Sequence, residues 1–380
     1  MKIMEIRKSG IAGADGSKPR ASDRDARVFL AGVSRGASAQ AIEAAVRESA
    51  LAASDFSWLS RGNSVFIKPA LNSGSPYPAT TSPIAVAAMV RLLKEKGAGR
   101  VIVGDMSGIE HVKLSPDGFS GSTRKLMEAS GMAGMVQAAG AELHFFEEAG
   151  WHAFYEDQMA AGSHWKRGLM MPDILKEVDH IILMPRCSRH VLAGSTLGLK
   201  AAVGYWRTDT RLEYHRDADT FHEKTAEGNT AQTLLAKQRL VVSAADKILA
   251  TFGPDQGYVH EPETGLIIAS ESVVAHDMLS LAWLLENRRH IPAANKDGFL
   301  DNNPLVARMA NYWVVGKLGG MKPVIVSDEL IKNDLESIWD DRVLNHAYQI
   351  FNGAPKLIID TTNRIVSEDA IRHLRQMTAH

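Results

Sequence analysis

Three apolar runs near the amino-terminal end of the chain decide the fold: ARVFLAGV (26–33), SVFIKPAL (64–71) and RVIVGDMS (100–107). Helical patterns separate them, near Ala39–Ala53 and Ile84–Lys96. Short apolar runs that alternate with helices are typical of βαβ units. The pattern therefore predicts an α/β fold, with a mostly parallel sheet and helices on both of its faces.

The same alternation continues along the chain. Further strands are predicted at AELHFFE (141–147), DHIILMP (179–185), RLVVSAADKILATF (239–252) and GLIIASE (265–271). A helix is predicted around Thr196–Val203, and a longer one at Ser272–Leu285. Ser270, just before the longer helix, is the predicted N-cap because a serine side chain accepts hydrogen bonds from the first free backbone amides.

Composition along the chain predicts three segments. Residues 1–24 are polar and rich in Gly and Ser, without the apolar stretch of a signal peptide, so they are expected to be a flexible tail. Residues 25–290 form the predicted main α/β domain, which ends in a stretch rich in Asn, Pro and charge. KPVIVSDEL (322–330) and APKLIIDTT (354–362) indicate two more strands. We expect a small carboxyl-terminal α/β lobe at 291–380; the alternative is a closing layer of the main domain.

Charge and hydropathy exclude several classes of protein. The 380-residue chain carries 43 basic and 44 acidic side chains. A net charge of −1 provides no global field to hold nucleic acid or an anionic membrane. No apolar run approaches the roughly 18 residues of a membrane-spanning helix. The protein is therefore expected to be cytoplasmic and to bind a small anionic molecule, and whether it is a homo-oligomer is left open.

The cysteine count limits the cofactors. Cys187 is the only cysteine, which excludes an intramolecular disulfide, a four-cysteine zinc site and a self-ligated iron–sulfur cluster. The identity of any cofactor is otherwise unknown. The nucleotide-binding motifs G-x-x-x-x-G-K-[ST] and G-x-G-x-x-G and the hydrolase motif G-x-S-x-G are also missing, which disfavours those functions.

Polar residues at the predicted strand ends are the first candidates for a site, because parallel sheets bind ligands at the carboxyl ends of their strands. Lys68 and Asn72 follow one strand, and Asp105 ends the next. A lysine there can attract an anion. The alternatives are a solvated lysine and a helix-capping aspartate.

The segment from Arg186 to Arg216 is the most basic part of the chain. It holds six Arg or Lys side chains against Asp209 and Glu213, a local charge of +4. A small-residue turn leads from its first arginines to a predicted helix start, and backbone amides at such a start bind anions. A solvated basic face is the alternative interpretation.

These residues predict an enzyme that acts on a small carboxylate-bearing metabolite by proton transfer, such as isomerisation or racemisation. The predicted substrate-binding residues are Arg186, Arg189, Arg207, Arg211 and Asn72. The predicted catalytic residues are His190, Lys200, Lys68 and Asp105. Arginine forks bind carboxylates through two parallel hydrogen bonds. A histidine with a pKa near ~6.5 suits proton transfer at neutral pH, and the lysines would stabilise a developing oxyanion or hold a cofactor phosphate.

Two other functions remain open. The same arginines could serve a non-catalytic protein that binds an anionic metabolite or delivers a cofactor. A metal-dependent enzyme is the third hypothesis, because His215, Asp219 and His222 would share one face of a continuous helix at spacings i, i+4 and i+7.

Several of these segments together resemble a known family. They are FIKPALNSGSPYPATTSP (66–83), VIVGD (101–105), ILMPRCSRHVLAGSTLGLKAAVG (182–204) and GLIIASESVVAHD (265–277). The resemblance is to the domain of unknown function 362 family, often labelled iron–sulfur-centre proteins, over roughly Val65–Leu285. Arg189, His190, Gly194, Lys200 and Gly204 fall where that family shows Lys-Thr-His, Gly, Lys-Asn and Gly. Ala201 stands where Asn is usual. Many relatives carry a ferredoxin-like insert with clustered cysteines, which this chain lacks.

A more distant likeness is to the amino-terminal part of lactate racemase-like enzymes. His190, Ala193-Gly194, Lys200 and His215 follow the order of residues found there. The likeness implies that such residues handle proton or hydride transfer and hold a nickel-pincer nucleotide. It is an analogy at the level of the fold.

Overall fold

The structure is a computed structural model that describes residues 21–162, 164–296, 303–317 and 336–380. The predicted flexible tail and the predicted strand at 322–330 lie outside these residues, apart from the last four residues of the tail, which belong to the first strand. Among the described helices, none is long and apolar enough to cross a membrane.

The strands within the described residues are β1 Ala21–Ser34, β2 Ser64–Pro69, β3 Arg100–Asp105, β4 Lys113–Ser115, β5 Gly118–Ser120, β6 Glu142–Phe145, β7 Phe154–Asp157, β8 Leu169–Pro172, β9 His180–Met184, β10 Arg186–His190, β11 Gly194–Thr196, β12 Gln238–Leu249, β13 Val259–His260, β14 Thr264–Ser270 and β15 Ala354–Thr361.

The α-helices are α1 Ala39–Ala53, α2 Pro83–Glu95, α3 Thr123–Ala129, α4 Met132–Ala138, α5 Phe146–Ala149, α6 Ile174–Glu177, α7 Gly198–Ala201, α8 Thr208–Arg216, α9 Phe221–Glu227, α10 Gln232–Lys237, α11 Val273–Arg289, α12 Ala293–Lys296, α13 Pro304–Lys317, α14 Arg342–Ile350 and α15 Glu368–Thr378.

One large sheet organises the molecule, in the order β15-β1-β14-β12-β9-β2-β3-β6. Its neighbours run parallel from β12 through β9, β2 and β3 to β6. β14 is antiparallel to both β1 and β12. The sheet is therefore mixed but mostly parallel, which confirms the predicted α/β class.

Alternation along the strands directs side chains into cores on both faces of the sheet. In β1, Val28 and Leu30 pack in one buried cluster with α11 and α15, whereas Ala31 and Val33 pack in another with α1 and α2. Successive strand residues point to opposite faces, so each apolar run supplies both cores. The runs are continuous rather than alternating because both faces are covered.

Local structure differs from the sequence prediction at two helices. Ser272, not Ser270, is the N-cap of α11: its side chain accepts a hydrogen bond from Ala275 N at 3.2 Å. Ser270 Oγ instead donates to Arg27 O in the neighbouring strand, at 2.7 Å. The helix expected at Thr196–Val203 is a strand through Thr196, followed by α7 and a 3-10 helix at Ala202–Tyr205. In a short run of small residues, hydrophobic periodicity cannot distinguish a strand from a helix.

The carboxyl-terminal segment contributes directly to the main sheet. β15 pairs in parallel with β1, with Ile358 opposite Arg27 and Asp360 opposite Phe29. Ile359 and Leu374, from β15 and α15, pack in the same cluster as residues of α11. The strand expected in a separate lobe thus pairs with the main sheet and is its outer member among the described strands, because an apolar strand is most stable where it finds both a ladder partner and a buried face.

Candidate functional site

A cavity of about 180 Å³ opens at the carboxyl ends of β2 and β3. The polar and charged side chains that line it include Lys68, Asn72, Asp105, His111, Arg186, His190, Lys200, Arg211, His215 and Asp255. The sheet brings Lys68, Asp105 and His190 to one place, as parallel strands are expected to do. The chemical roles of these residues remain predictions.

Lys68 and Asp105 form a buried ion pair at the floor of the cavity. Lys68 Nζ lies 2.9 Å from Asp105 Oδ1 and also donates to Pro69 O at 2.7 Å. The carboxylate accepts hydrogen bonds from the backbone amides of Leu71 and Met106, at 3.0 and 2.8 Å. Burial lowers the pKa of Lys68 and raises that of Asp105, and the attraction between the two charges opposes both shifts. These contacts tie the ends of β2 and β3 together and use two of the three N–H donors of Lys68.

Gly204 allows this pair to sit against the 3-10 helix. A Cβ at Gly204 would lie 2.3 Å from Lys68 Nζ and 2.8 Å from Asp105 Oδ1. The carbonyl of Gly204 accepts a hydrogen bond from Arg211, whose guanidinium also donates to the carbonyls of Met106 and Ser107, each bond at 2.8 Å. Arg211 therefore ties α8 to the end of β3, and its fork is largely used by the protein itself.

Arg186 is in a different state. It is fully buried, and none of its three guanidinium nitrogens has a hydrogen-bond partner among the described residues. Asp255 faces it across the cavity without a hydrogen bond, and burial lowers the pKa of Arg186 to about 10. The side chain is therefore still charged at neutral pH. A buried, unpaired guanidinium is costly, and an anion that entered the cavity would relieve this cost.

Strand alternation separates Arg186 and Arg189, which lie three residues apart in the sequence. Arg186 and His190 of β10 line the cavity, whereas Cys187 and Arg189 point to the opposite face. Cys187 packs in the cluster formed with α11, and Arg189 donates to Gly194 O at 2.5 Å. Arg189 thus does not line the cavity.

His190 is held in one protonation state by the backbone. Its Nδ1 accepts hydrogen bonds from the amides of Leu192 and Ala193, at 3.0 and 3.3 Å. Since a backbone amide only donates, Nδ1 carries a lone pair and the ring proton sits on Nε2. Burial, Lys200 and Arg186 lower the pKa of His190 well below its ordinary value. His190 therefore presents a neutral imidazole whose Nε2 can donate toward the cavity, whereas the sequence predicts an acid/base, and that role remains a prediction.

His215 has the opposite arrangement. Its Nδ1 lies 3.4 Å from Asn311 Oδ1, while Asn311 Nδ2 donates to His215 O at 3.2 Å. The amide orientation assigns a proton to Nδ1 and a lone pair to Nε2. Burial and Lys200 lower the pKa of His215 to about 3. The cavity is thus lined by one neutral histidine that donates from Nε2 and one that accepts there.

Lys200 is the cavity residue best suited to exchange a proton near neutral pH. Burial, Arg186 and Arg211 lower its pKa to about 7. Its Nζ lies 5.7 Å from the centre of the Tyr214 ring. Since the amine is uncharged in about half of the molecules at that pH, it can both accept and return a proton.

Two predicted substrate-binding residues have partners within the protein. Arg207 forms a two-pronged ion pair with Asp209, at 2.9 and 3.0 Å, and stacks 4.0 Å above the Trp151 ring, so it does not line the cavity. Asn72 does line it, and its Nδ2 donates to Asp255 Oδ1. Asp255 itself was not singled out from the sequence, although it lies in the Gly- and Pro-rich loop that follows β12.

The three residues of the predicted metal site do not come together. α8 ends at Arg216, Asp217 leaves helical geometry at φ −96° and ψ 75°, and α9 begins at Phe221. His215 and His222 therefore belong to different helices, which removes the shared face that the spacing assumed. Among the described residues, the groups whose ligand atoms converge are His164, Glu227 and His346, and Glu110, His111 and Asp255.

These features define an α/β protein with a cationic cavity at the strand ends. The chain belongs to the family described as Domain of unknown function (DUF362), which matches residues 65–282, more than half of its length. No curated protein matches it. Among solved structures, it is similar to the lactate racemase apoprotein from Thermoanaerobacterium thermosaccharolyticum. That similarity has a TM-score of 0.41 and 10% identity, over 94% of this chain and 90% of the other. Similarity at this level carries no information about activity.

Proposed function

We propose that the protein is an enzyme that binds a small carboxylate-bearing metabolite in this cavity and transfers a proton on it. The observation that carries the proposal is Arg186, a fully buried cation whose guanidinium nitrogens have no hydrogen-bond partner among the described residues. A carboxylate matches the planar fork of an arginine with two parallel hydrogen bonds. The cavity, about 180 Å³, favours a small ligand.

Lys200 is the proposed base. With a pKa of about 7, it provides a free amine at neutral pH beside the anion-binding arginine. A carbon acid next to a bound carboxylate becomes easier to deprotonate when the cation neutralises the developing charge. After proton abstraction by Lys200, delivery of a proton to a different carbon would give isomerisation, and delivery to the opposite face of the same carbon would give racemisation.

The two histidines have complementary proposed roles. His190 donates from Nε2 and would stabilise an oxyanion, a role that a neutral imidazole performs without transferring its proton. His215 accepts at Nε2 and would orient a substrate hydroxyl. Together they would select a substrate with both an acceptor and a donor near its carboxylate, such as a hydroxy acid.

The test is solvent-deuterium incorporation into a panel of small hydroxy- and oxo-carboxylates, followed by NMR, with the matching amides as uncharged controls. We expect exchange at the carbon next to the carboxylate of at least one acid and none in its amide. Lys200→Met should reduce the exchange rate by about 100-fold or more while leaving binding measurable. Lys125→Met, at an exposed position on α3, is the matched control and should behave as the wild type.

Three results would count against the proposal. If carboxylates bind no more tightly than their amides, the cavity does not contain an anion-binding site. Binding without exchange would favour a non-catalytic protein that binds or delivers an anionic molecule. Exchange that Lys200→Met leaves unchanged would show that Lys200 is not the base.

A further inference from the structure

A second cluster of chemically active side chains lies outside the cavity. Glu227 is the last residue of α9, His164 lies between β7 and β8, and His346 is on α14. His164 Nδ1 and His346 Nε2 lie 2.5 and 3.0 Å from the same carboxylate oxygen, Glu227 Oε1. The three potential ligand atoms all lie within 4.8 Å of one another.

The loop around His164 presents this carboxylate in a specific way. The backbone amide of His164 donates to the other oxygen, Oε2, at 3.3 Å. Gly162 has a φ of +118°, and a Cβ there would lie 2.4 Å from Glu227 Cδ, so the loop packs directly against the carboxylate. The backbone thus contacts Oε2, while both imidazoles contact Oε1. Metal-binding carboxylates are commonly held in this manner, with the second oxygen in a hydrogen bond.

Burial and access also favour an ion. The Glu227 side chain is 0% exposed, whereas the side chains of His346 and His164 are 14% and 32% exposed. A carboxylate removed from water is strongly stabilised by a cation that coordinates it. The partly exposed imidazoles provide the route by which an ion can reach it from solvent.

Glu286 provides an internal comparison. It also contacts two histidines, but His290 approaches Oε1 at 3.1 Å and His373 approaches Oε2 at 2.8 Å. Its side chain is 24% exposed, and its histidines are 64% and 40% exposed. Each histidine there pairs with a different carboxylate oxygen, in contact with solvent. Such pairs are ordinary at a protein surface. At Glu227 the two histidines converge on one point instead.

We propose that His164, Glu227 and His346 form a binding site for a divalent transition-metal ion of the Zn²⁺ type. Two imidazole nitrogens and one carboxylate oxygen are a donor set that Zn²⁺ binds, with the fourth position open to water. The ion would replace the hydrogen bonds between the imidazoles and Oε1, because each coordinating nitrogen must present a lone pair. Because His164 lies in the loop between β7 and β8 and His346 lies on α14, a bound ion would link these two elements.

The experiment is a titration of the purified, metal-stripped full-length protein with Zn²⁺ by calorimetry, and with Co²⁺ by visible absorption. Co²⁺ reports its coordination geometry through the intensity of its absorption bands. We expect one equivalent of each ion to bind and Co²⁺ to give the intense bands of a four-coordinate site. His346→Ala and Glu227→Gln should each weaken binding about 100-fold or more. Glu286→Gln is the matched control and should leave both titrations unchanged.

Each possible outcome of the titrations either supports or contradicts the proposed metal site. His346 is partly exposed, so His346→Ala tests the site even if Glu227→Gln, at a buried position, fails to fold. Absence of Zn²⁺ binding by the folded wild type would overturn the proposal. So would one-equivalent binding that His346→Ala leaves unchanged or that Glu286→Gln removes.

Discussion

At the scale of single residues, the two arginines of the cavity differ in how much of their hydrogen-bonding capacity the protein uses. Arg211 donates to three backbone carbonyls, so it serves mainly to hold α8 against the end of β3. Arg186 donates to no described residue, although it is fully buried. Charge and residue type are the same at both positions. Only the surroundings make one of them structural and the other available to a ligand.

Arg186→Lys tests that difference. The substitution keeps the positive charge and removes the planar fork, so we expect carboxylate binding to weaken by about 1.5–3 kcal/mol, the scale of a hydrogen bond to a charged group. Arg189→Lys is the matched control on the other face of β10 and should leave affinity unchanged. Calorimetric titration with the acid found in the exchange assay measures both. Equal losses of affinity in the two variants would show that the position of Arg186 in the cavity is not what makes it bind the carboxylate.

Lys200 should make the stability of the protein depend on pH. Its pKa is about 7 in the folded state and near its ordinary value of 10.5 when unfolded. Between these values the unfolded chain binds more protons, so this group makes the free energy of unfolding rise as the pH increases from about 7 to 10.5. Lys200→Met should remove that rise. Thermal unfolding of both proteins across this window measures the difference, and parallel curves would show that Lys200 has an ordinary pKa.

At the scale of elements, the geometry of strands and helices decides which side chains share the cavity. β10 sends alternate residues to opposite faces, which admits Arg186 and excludes Arg189. The break between α8 and α9 places His215 at the cavity and His222 on the next helix. These assignments follow from the type of element, which residue spacing alone does not specify.

Gly204→Ala tests the contact between the 3-10 helix and the ion pair. The added methyl group would overlap Lys68 Nζ and Asp105 Oδ1, so we expect a loss of about 1–3 kcal/mol in the free energy of unfolding. Gly134→Ala is the matched control: it lies within α4, and outside its chain neighbours and its own helix backbone no atom lies within 4 Å of its Cβ position. There alanine should stabilise the helix by about 0.5–1 kcal/mol. Denaturant unfolding measures both, and a stable Gly204→Ala protein would show that the floor of the cavity can shift.

At the scale of the whole molecule, the carboxyl-terminal segment closes the main sheet. β15 pairs with β1 along most of its length, and α15 packs against α11. A chain that ends at residue 290 would leave β1 as an unpaired edge and uncover the apolar surface of α11. We therefore expect it to aggregate or to unfold at a much lower temperature than the full chain. Size-exclusion chromatography and thermal unfolding measure this, and a stable monomer would establish 25–290 as an independent domain.

The sequence by itself determined the α/β class, most of the strands and several residues of the candidate site. Apolar runs and helical periodicity are local signals, because the residues that form the buried face of one strand or helix lie close together in the sequence. α1 was predicted at its observed bounds, Ala39–Ala53, for this reason. Lys68 and Asp105 could be found because strand ends in a parallel sheet converge whatever the details of the loops.

Only the tertiary structure decided which polar groups are free, which are paired and which protonation states the histidines adopt. His190, for example, carries its ring proton on Nε2 because two backbone amides donate to its Nδ1. The placement of β15 beside β1, and the convergence of His164 and His346 on Glu227, join residues far apart in the chain. Such contacts depend on how whole elements pack. Their free energies are set by burial and by partners that no local pattern of residues records.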